Sequence, residues 1–175
     1  MLLTAITLVM ATNTMNLNEI IAQQGGGIWN WNLIRLTWAA SPLTPIAFLI
    51  FFTCMLAETN RAPFDMAEAE SELVAGTFTE YPGMGFGVFF MGEYANIVIG
   101  ASLVTILFLG GWQSPLPFLP NSAVWFLMKM YAIIFTVVWI RWTFPRTQFY
   151  QLLNLSWKYL IPISLLNLVV TAGWL

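Results

Sequence analysis

Six ionisable side chains crowd into one stretch of twenty residues, AETNRAPFDMAEAESELVAG (57 to 76): Glu58, Arg61, Asp65, Glu68, Glu70 and Glu72. The whole chain of 175 residues holds only six Lys and Arg and eight Asp and Glu. Glu58 and Arg61 are three apart and Arg61 and Asp65 four apart, spacings at which both carboxylates could reach one guanidinium on a helix. Pro63 disfavours helical geometry at Ala62, so a turn is expected there. Beyond it, Asp65 can cap a short helix with Glu68 in the capping-box position, while Glu68 and Glu72 stack one turn apart. Close carboxylates raise one another's proton affinity, which suits groups that take up and release protons. The same acids in open water would be a plain solvated face, and spacing leaves both readings open.

Three more ionisable residues extend the pattern. Glu80 precedes Tyr81-Pro82-Gly83, Glu93 with Tyr94 lies inside the opening of an apolar segment, and Lys129 sits within another. Ionisable groups inside a membrane are costly, face a bundle interior or a wet cavity, and often mark ion or proton routes. Lys129 could instead be the structural partner of an acid on another chain.

The elements that must position these residues follow from composition. The chain is 59% hydrophobic, 16% aromatic and 8% charged, against roughly 25% charged in an ordinary soluble domain. That describes an all-α membrane protein, in which a span takes about 20 mostly apolar residues. Charge-free intervals predict about five transmembrane helices, at about 1–14, 38–58, 88–109, 122–141 and 157–175, in a single membrane domain. The acidic loop 58–87 joins the second to the third, and GGWQSPLPFLPNS (110 to 122) breaks one long apolar run into the third and fourth. With five crossings, Arg61, Arg141, Arg146 and Lys158 fall on the side of the N-terminus and Arg35 on the other. The excess of Lys and Arg marks the inner side, so the acidic loop is expected there, in a bacterial cytoplasm or a mitochondrial matrix.

Missing residue types exclude whole chemistries. There is no His and one Cys, Cys54, in the middle of an apolar helix. Iron-sulfur clusters need thiolates and haem usually takes a His ligand, and zinc wants Cys or His, so no redox centre or metal site is expected. Cys54 reads as a small buried apolar side chain. GMGFG (83 to 87) lacks the preceding strand and the spacing of a nucleotide-binding turn. No basic arm points to nucleic acid.

Two motifs carry a resemblance. LAETNRAPFDMAEAESELVAGTFTEY, followed by GEYANI, resembles the signature of the NADH dehydrogenase subunit 1 family, the membrane chains at the quinone site of respiratory complex I. WIRWTFPRTQFYQLLNLSWKYLIP resembles that family's C-terminal motif, with Arg141, Pro145, Arg146, Gln151, Leu152, Trp157 and Lys158 in register. The resemblance implies a proton-pumping NADH:ubiquinone reductase subunit in which Glu58, Arg61, Asp65, Glu68, Glu70, Glu72, Glu80, Glu93 and Tyr94 serve the quinone chamber and the proton-coupling path. It implies no catalytic residue and no cofactor on this chain. Ubiquinone is then the substrate of the complex, with NADH, FMN and iron-sulfur clusters on other subunits. Partners would be the peripheral-arm quinone-site subunits, the antiporter-like membrane subunits and lipid. A mitochondrial inner membrane is expected, with the N-terminus and acidic loop toward the matrix and the C-terminus toward the intermembrane space.

Departures from the family add expectations. Met1 opens LLTAITLVM, which looks like the later part of a helix, so the chain reads as the C-terminal half of a split subunit with its N-terminal half a separate partner. Gln148, Phe149 and Tyr150 stand where the family usually carries a basic residue and Tyr-Asp. IAQQGGGIWNWN (21 to 32) looks local to this chain and suited to an accessory subunit. Alternatives are a subunit of a ferredoxin- or hydrogenase-linked membrane complex and a secondary ion transporter. The latter would want internal repeats, and none is evident.

Overall fold

A computed structural model of the chain describes residues 1–34, 44–59, 63–64, 84–145 and 147–174, the last without its side chain. Among the described residues there are helices and connecting turns and no strand. In chain order the helices are α1 (Leu2–Thr12), α2 (Leu17–Gln23), α3 (Thr44–Glu58), α4 (Met84–Phe108), α5 (Ala123–Thr143), α6 (Phe149–Leu155) and α7 (Ile161–Trp174). This is an all-α membrane protein. Three helical stretches, Met84–Phe108, Ala123–Thr143 and Phe149–Gly173, are long and apolar enough to cross a bilayer, and α1 and α3 are shorter apolar helices.

Helix boundaries follow local chemistry. α1 stops where Asn13 turns left-handed at φ 55° and its N–H reaches the Met10 carbonyl, a conformation Asn tolerates better than most residues. Asn16 caps α2 by accepting the Asn18 N–H at 3.1 Å, and Ser122 caps α5 by accepting the Val124 N–H at 3.3 Å. α5 ends because Phe144 is extended ahead of Pro145. α4 starts at Met84 rather than at the expected 88. The last apolar helix starts at Phe149 rather than near 157, because Gln151 Oε1 accepts the Gln148 N–H at 3.2 Å and opens a helical turn there. A π-helical stretch, Ser156–Leu160, carries it on into α7. Its wider turn comes just before Pro162, whose ring removes one backbone donor.

Two kinds of packing hold the helices. α3, α4 and α5 share an apolar core around Phe108, which is fully buried with the rings of Phe48 at 5.4 Å and Phe51 at 5.6 Å. Met55, Val104, Ile133 and Val137 complete it. α1 packs against α7 along a seam of small polar residues, with Thr4 and Thr7 buried on one side and Ser164, Asn167 and Thr171 on the other. Their hydroxyls bond back to their own helix, as in Thr7 to Thr4 O at 2.7 Å and Thr171 to Asn167 O at 2.7 Å. With the hydroxyls so satisfied, small side chains let the two helices approach closely where lipid gives no hydrophobic drive.

The α3–α4 crossing is tightest at Gly100, where a Cβ would stand 2.8 Å from Cγ of Met55. Overpacking of this sort costs about 1–3 kcal/mol. Gly100→Val is therefore expected to lower the thermal midpoint of the membrane assembly and Gly100→Ala to lower it less, as read by thermal unfolding in detergent. An unchanged midpoint for Gly100→Val would contradict this close packing.

Candidate functional site

The two ends of the helix bundle differ in kind. From the end that bears Glu58, a cavity of about 1020 Å³ runs along the bundle toward Leu17, Ile20 and Leu107, lined by α1, α2, α3, α4 and the α6–α7 helix. Leu3, Ile50, Phe51, Leu103, Leu155 and Ile161 give it apolar walls, and Glu58 is the only charged residue among its described lining residues. Glu58 is exposed at the last turn of α3. It also borders a second cavity of about 130 Å³, which it shares with Thr59 and with Asn96 and Gly100 of α4. That space is roomy and polar enough to hold water.

α4 approaches this region with an unusual first half. From Met84 to Asn96 no residue is buried, whereas Ile97 opens the part that packs into the core. Phe86, Phe90 and Tyr94 recur every four residues and so lie on one face. Their rings stand 4.6 and 6.4 Å apart, a ladder of aromatic faces one helical turn per step. Glu93 is half-buried, and Asn96 follows it at the three-residue spacing that puts both on one side of the helix. The structure thus brings Glu58 and Asn96 to one cavity and sets Glu93 and Tyr94 close along the same helix. Arg61, Asp65, Glu68, Glu70, Glu72 and Glu80 lie outside the described residues. Asn96 was missed by sequence reasoning, although an amide three residues after Glu93 in an apolar helix was a usable signal.

The opposite end is closed by polar side chains that meet the last carbonyls of α4. Gln24 Nε2 donates to Ile106 O at 3.2 Å, Asn32 Nδ2 to Leu107 O at 2.9 Å, and the Leu33 N–H to Phe108 O at 3.1 Å. Lys129, 9% exposed, reaches across from α5. Its Nζ donates to the carbonyls of Leu109 at 2.7 Å, Gly111 at 3.1 Å and Gln113 at 2.7 Å, and lies 4.2 Å from the centre of the Trp31 ring. Three donors thus meet three acceptors, with a ring face completing the shell. Neither an ion route nor an acid on another chain is needed to explain this lysine. Gly110 and Gly111 make the geometry possible, with φ of 73° and 52°. A Cβ at the first would meet the Trp31 ring at 3.0 Å, and one at the second would meet Ile21 at 2.9 Å. Segment 21 to 32, read from sequence as local decoration, therefore spends its amides inside the chain, while Trp29 remains 81% exposed at its tip.

Apolar spanning helices, a closed polar knot after α4 and an acid-bordered cavity between the helices define a multi-pass membrane protein. The family model described as NADH dehydrogenase matches residues 1–172, and the chain belongs to that family. It is 61% identical over 180 residues to a NADH-quinone oxidoreductase subunit of Desulfotalea psychrophila, covering 100% of this chain and 53% of that relative. It is 46% identical to a NADH-quinone oxidoreductase subunit of Koribacter versatilis, over 97% of this chain and 48% of the relative. With the corresponding NADH-quinone oxidoreductase subunit of Rhodospirillum centenum the identity is 44%, over 98% of this chain and 49% of the relative. The chain spans about half the length of the curated relatives it matches.

Lys129→Met would strand three carbonyls that now share one ammonium. Hydrogen bonds to charged groups are worth about 1.5–3 kcal/mol each, and buried acceptors left unmade cost about 1–3 kcal/mol. Lys129→Met is expected to lower the thermal midpoint of the assembly strongly. Trp31→Phe should lower it little, since the ring contributes its face and Trp31 Nε1 is buried without an acceptor. Thermal unfolding of both variants in detergent checks the contrast, which equal midpoints would contradict.

Proposed function

We propose that this chain forms the C-terminal half of the quinone-site membrane subunit in a proton-pumping NADH:quinone oxidoreductase. The observation that carries the reading is the apolar cavity of about 1020 Å³ with Glu58 as its charged border, where Glu58 also shares a small cavity with Asn96 of α4. The names of the three relatives point the same way.

The chemistry divides between chains. Reducing a quinone to a quinol consumes two electrons and two protons. Electrons arrive from NADH through FMN and iron-sulfur clusters on other subunits, because a chain with no His and one Cys offers them little ligation. This chain supplies the wall. Apolar side chains exclude water around the hydrocarbon tail, and the ring faces of Phe86, Phe90 and Tyr94 suit a flat headgroup. Glu58, with Asp65, Glu68, Glu70, Glu72 and Glu80 beyond it, responds to the negative charge that develops on a reduced quinone. A nearby anion favours the protonated form of each carboxyl, so quinone reduction draws protons toward the chamber. Asn96 and Glu93 continue the polar line into the membrane, from which antiporter-like subunits carry the charge change onward.

The remaining half of the subunit completes the chamber, the peripheral-arm quinone-site subunits cover it, and lipid surrounds the outward faces. The three relatives are bacterial, which argues against the mitochondrial inner membrane expected from sequence. The bacterial cytoplasmic membrane takes its place in this reading, with the Glu58 end toward the cytoplasm by the distribution of Arg61, Arg141, Arg146 and Lys158.

Glu58→Gln and Glu72→Gln are each expected to lower quinone-linked NADH oxidation by about a hundredfold or more, the scale of a lost proton-transfer group. NADH oxidation by an artificial acceptor should be unchanged. Assays of both activities on membranes carrying each variant test this, and full quinone turnover in both variants would sink the assignment. On a native gel of solubilised membranes the chain should comigrate with the NADH-oxidising assembly.

A further inference from the structure

Thr147 lies in the short connection between α5 and α6, outside the acidic stretch and outside the cavity walls. Its N–H donates to the Pro63 carbonyl at 2.9 Å, and its Oγ1 donates to the same oxygen at 2.8 Å. One residue thus occupies both acceptor positions of one carbonyl, and it bridges 84 residues of sequence to do so. Thr147 is held in turn by its surroundings. Pro145 stops α5 two residues before it, and the Gln148–Gln151 bond starts α6 one residue after it. A β-branched side chain with few rotamers then keeps the hydroxyl aimed at its acceptor.

Pro63 is fixed from its other side as well. The neighbouring Phe64 packs its ring against the apolar core and lines the large cavity. Pro63 and Phe64 therefore form a pinned point inside the acidic stretch, with Glu58 before it and Asp65 next after it.

We propose that Thr147 is a positioning residue, whose paired hydrogen bonds hold Pro63, and with it the ring of Phe64, at the wall of the quinone cavity. The inference rests on the proposed quinone-site function and assigns Thr147 to it through Pro63 and Phe64, without contact to the quinone. The hydroxyl bond makes the placement specific, because any residue but proline can supply the N–H and few can supply a γ donor.

The test compares Thr147→Val, which keeps shape and removes the hydroxyl, with Thr147→Ser, which keeps the hydroxyl, in the assembled membrane complex. Backbone hydrogen exchange of the peptide covering 143–151, which carries the Thr147 N–H, is expected to be about fivefold faster in Thr147→Val, the effect of one neutral hydrogen bond on local opening. The KM for a short-tailed quinone should rise about threefold or more with kcat little changed, as expected when binding geometry is loosened. NADH oxidation by an artificial acceptor should stay the same, and Thr147→Ser should restore both exchange and KM. Unchanged exchange in Thr147→Val would overturn the clamp itself. Faster exchange with an unchanged quinone KM would overturn its positioning role. Failure of the quinone reading is seen separately, in full quinone turnover by Glu58→Gln, and leaves the exchange result interpretable.

Discussion

The backbone carbonyls at the end of α4 impose the constraint on which the rest depends. An α-helix leaves its last four carbonyls without intrahelical partners, and in a membrane there is no bulk water to meet them. Here α4 finishes inside the bundle, so the partners must come from elsewhere in the chain. Gln24, Asn32 and the Leu33 N–H arrive from the segment after α2, and Lys129 arrives from α5 to meet the carbonyls of the turn that follows α4, at Leu109, Gly111 and Gln113. Each of these fixes a piece of the fold. α2 and its following turn are drawn onto α4, the Gly110–Gly111 turn is held in a left-handed course, and α5 is docked at a set depth along α4. A cation is well suited to this place, because the C-terminal end of a helix carries partial negative charge.

The first half of α4 contributes nothing buried to the core, yet it continues without interruption from the half that does. Its position is therefore set at a distance, by Phe108 in its aromatic cluster, by Gly100 against Met55 and by the carbonyl knot. A rigid helix anchored at one end can hold Phe86, Phe90, Glu93 and Tyr94 at fixed positions without burying them. The seam between α1 and α7 packs closely, since its Thr and Ser hydroxyls are satisfied within their own helices and leave a smooth contact.

Much of the architecture was legible in the residues themselves. Gly110 and Gly111 with the prolines after them announced the break between α4 and α5, because neither residue type continues a helix. The start of the last helix was not legible. Gln148 and Gln151 make an N-terminal turn through side-chain geometry that composition does not display, and a π-helical stretch then carries the helix on through Pro162. Lys129 was visible as an anomaly, but its meaning was not. The three carbonyls and the Trp31 ring that satisfy it come from segments remote in sequence. Asn96 was similarly silent until α3 brought Glu58 beside it at a common cavity.

By itself the sequence determined that this chain lives in a membrane, that its acids cluster at one place, and which family it resembles. Those are local properties. Hydropathy, charge and motif spacing are written along the chain and need no contact to be read. Tertiary structure alone decided what those residues meet. Pro63 was bound to Thr147, Lys129 to the turn after α4 and Glu58 to a cavity only when helices remote in sequence were packed together. The reason is that a hydrogen bond or a cavity wall is a property of a pair or a group, and composition does not name the partner.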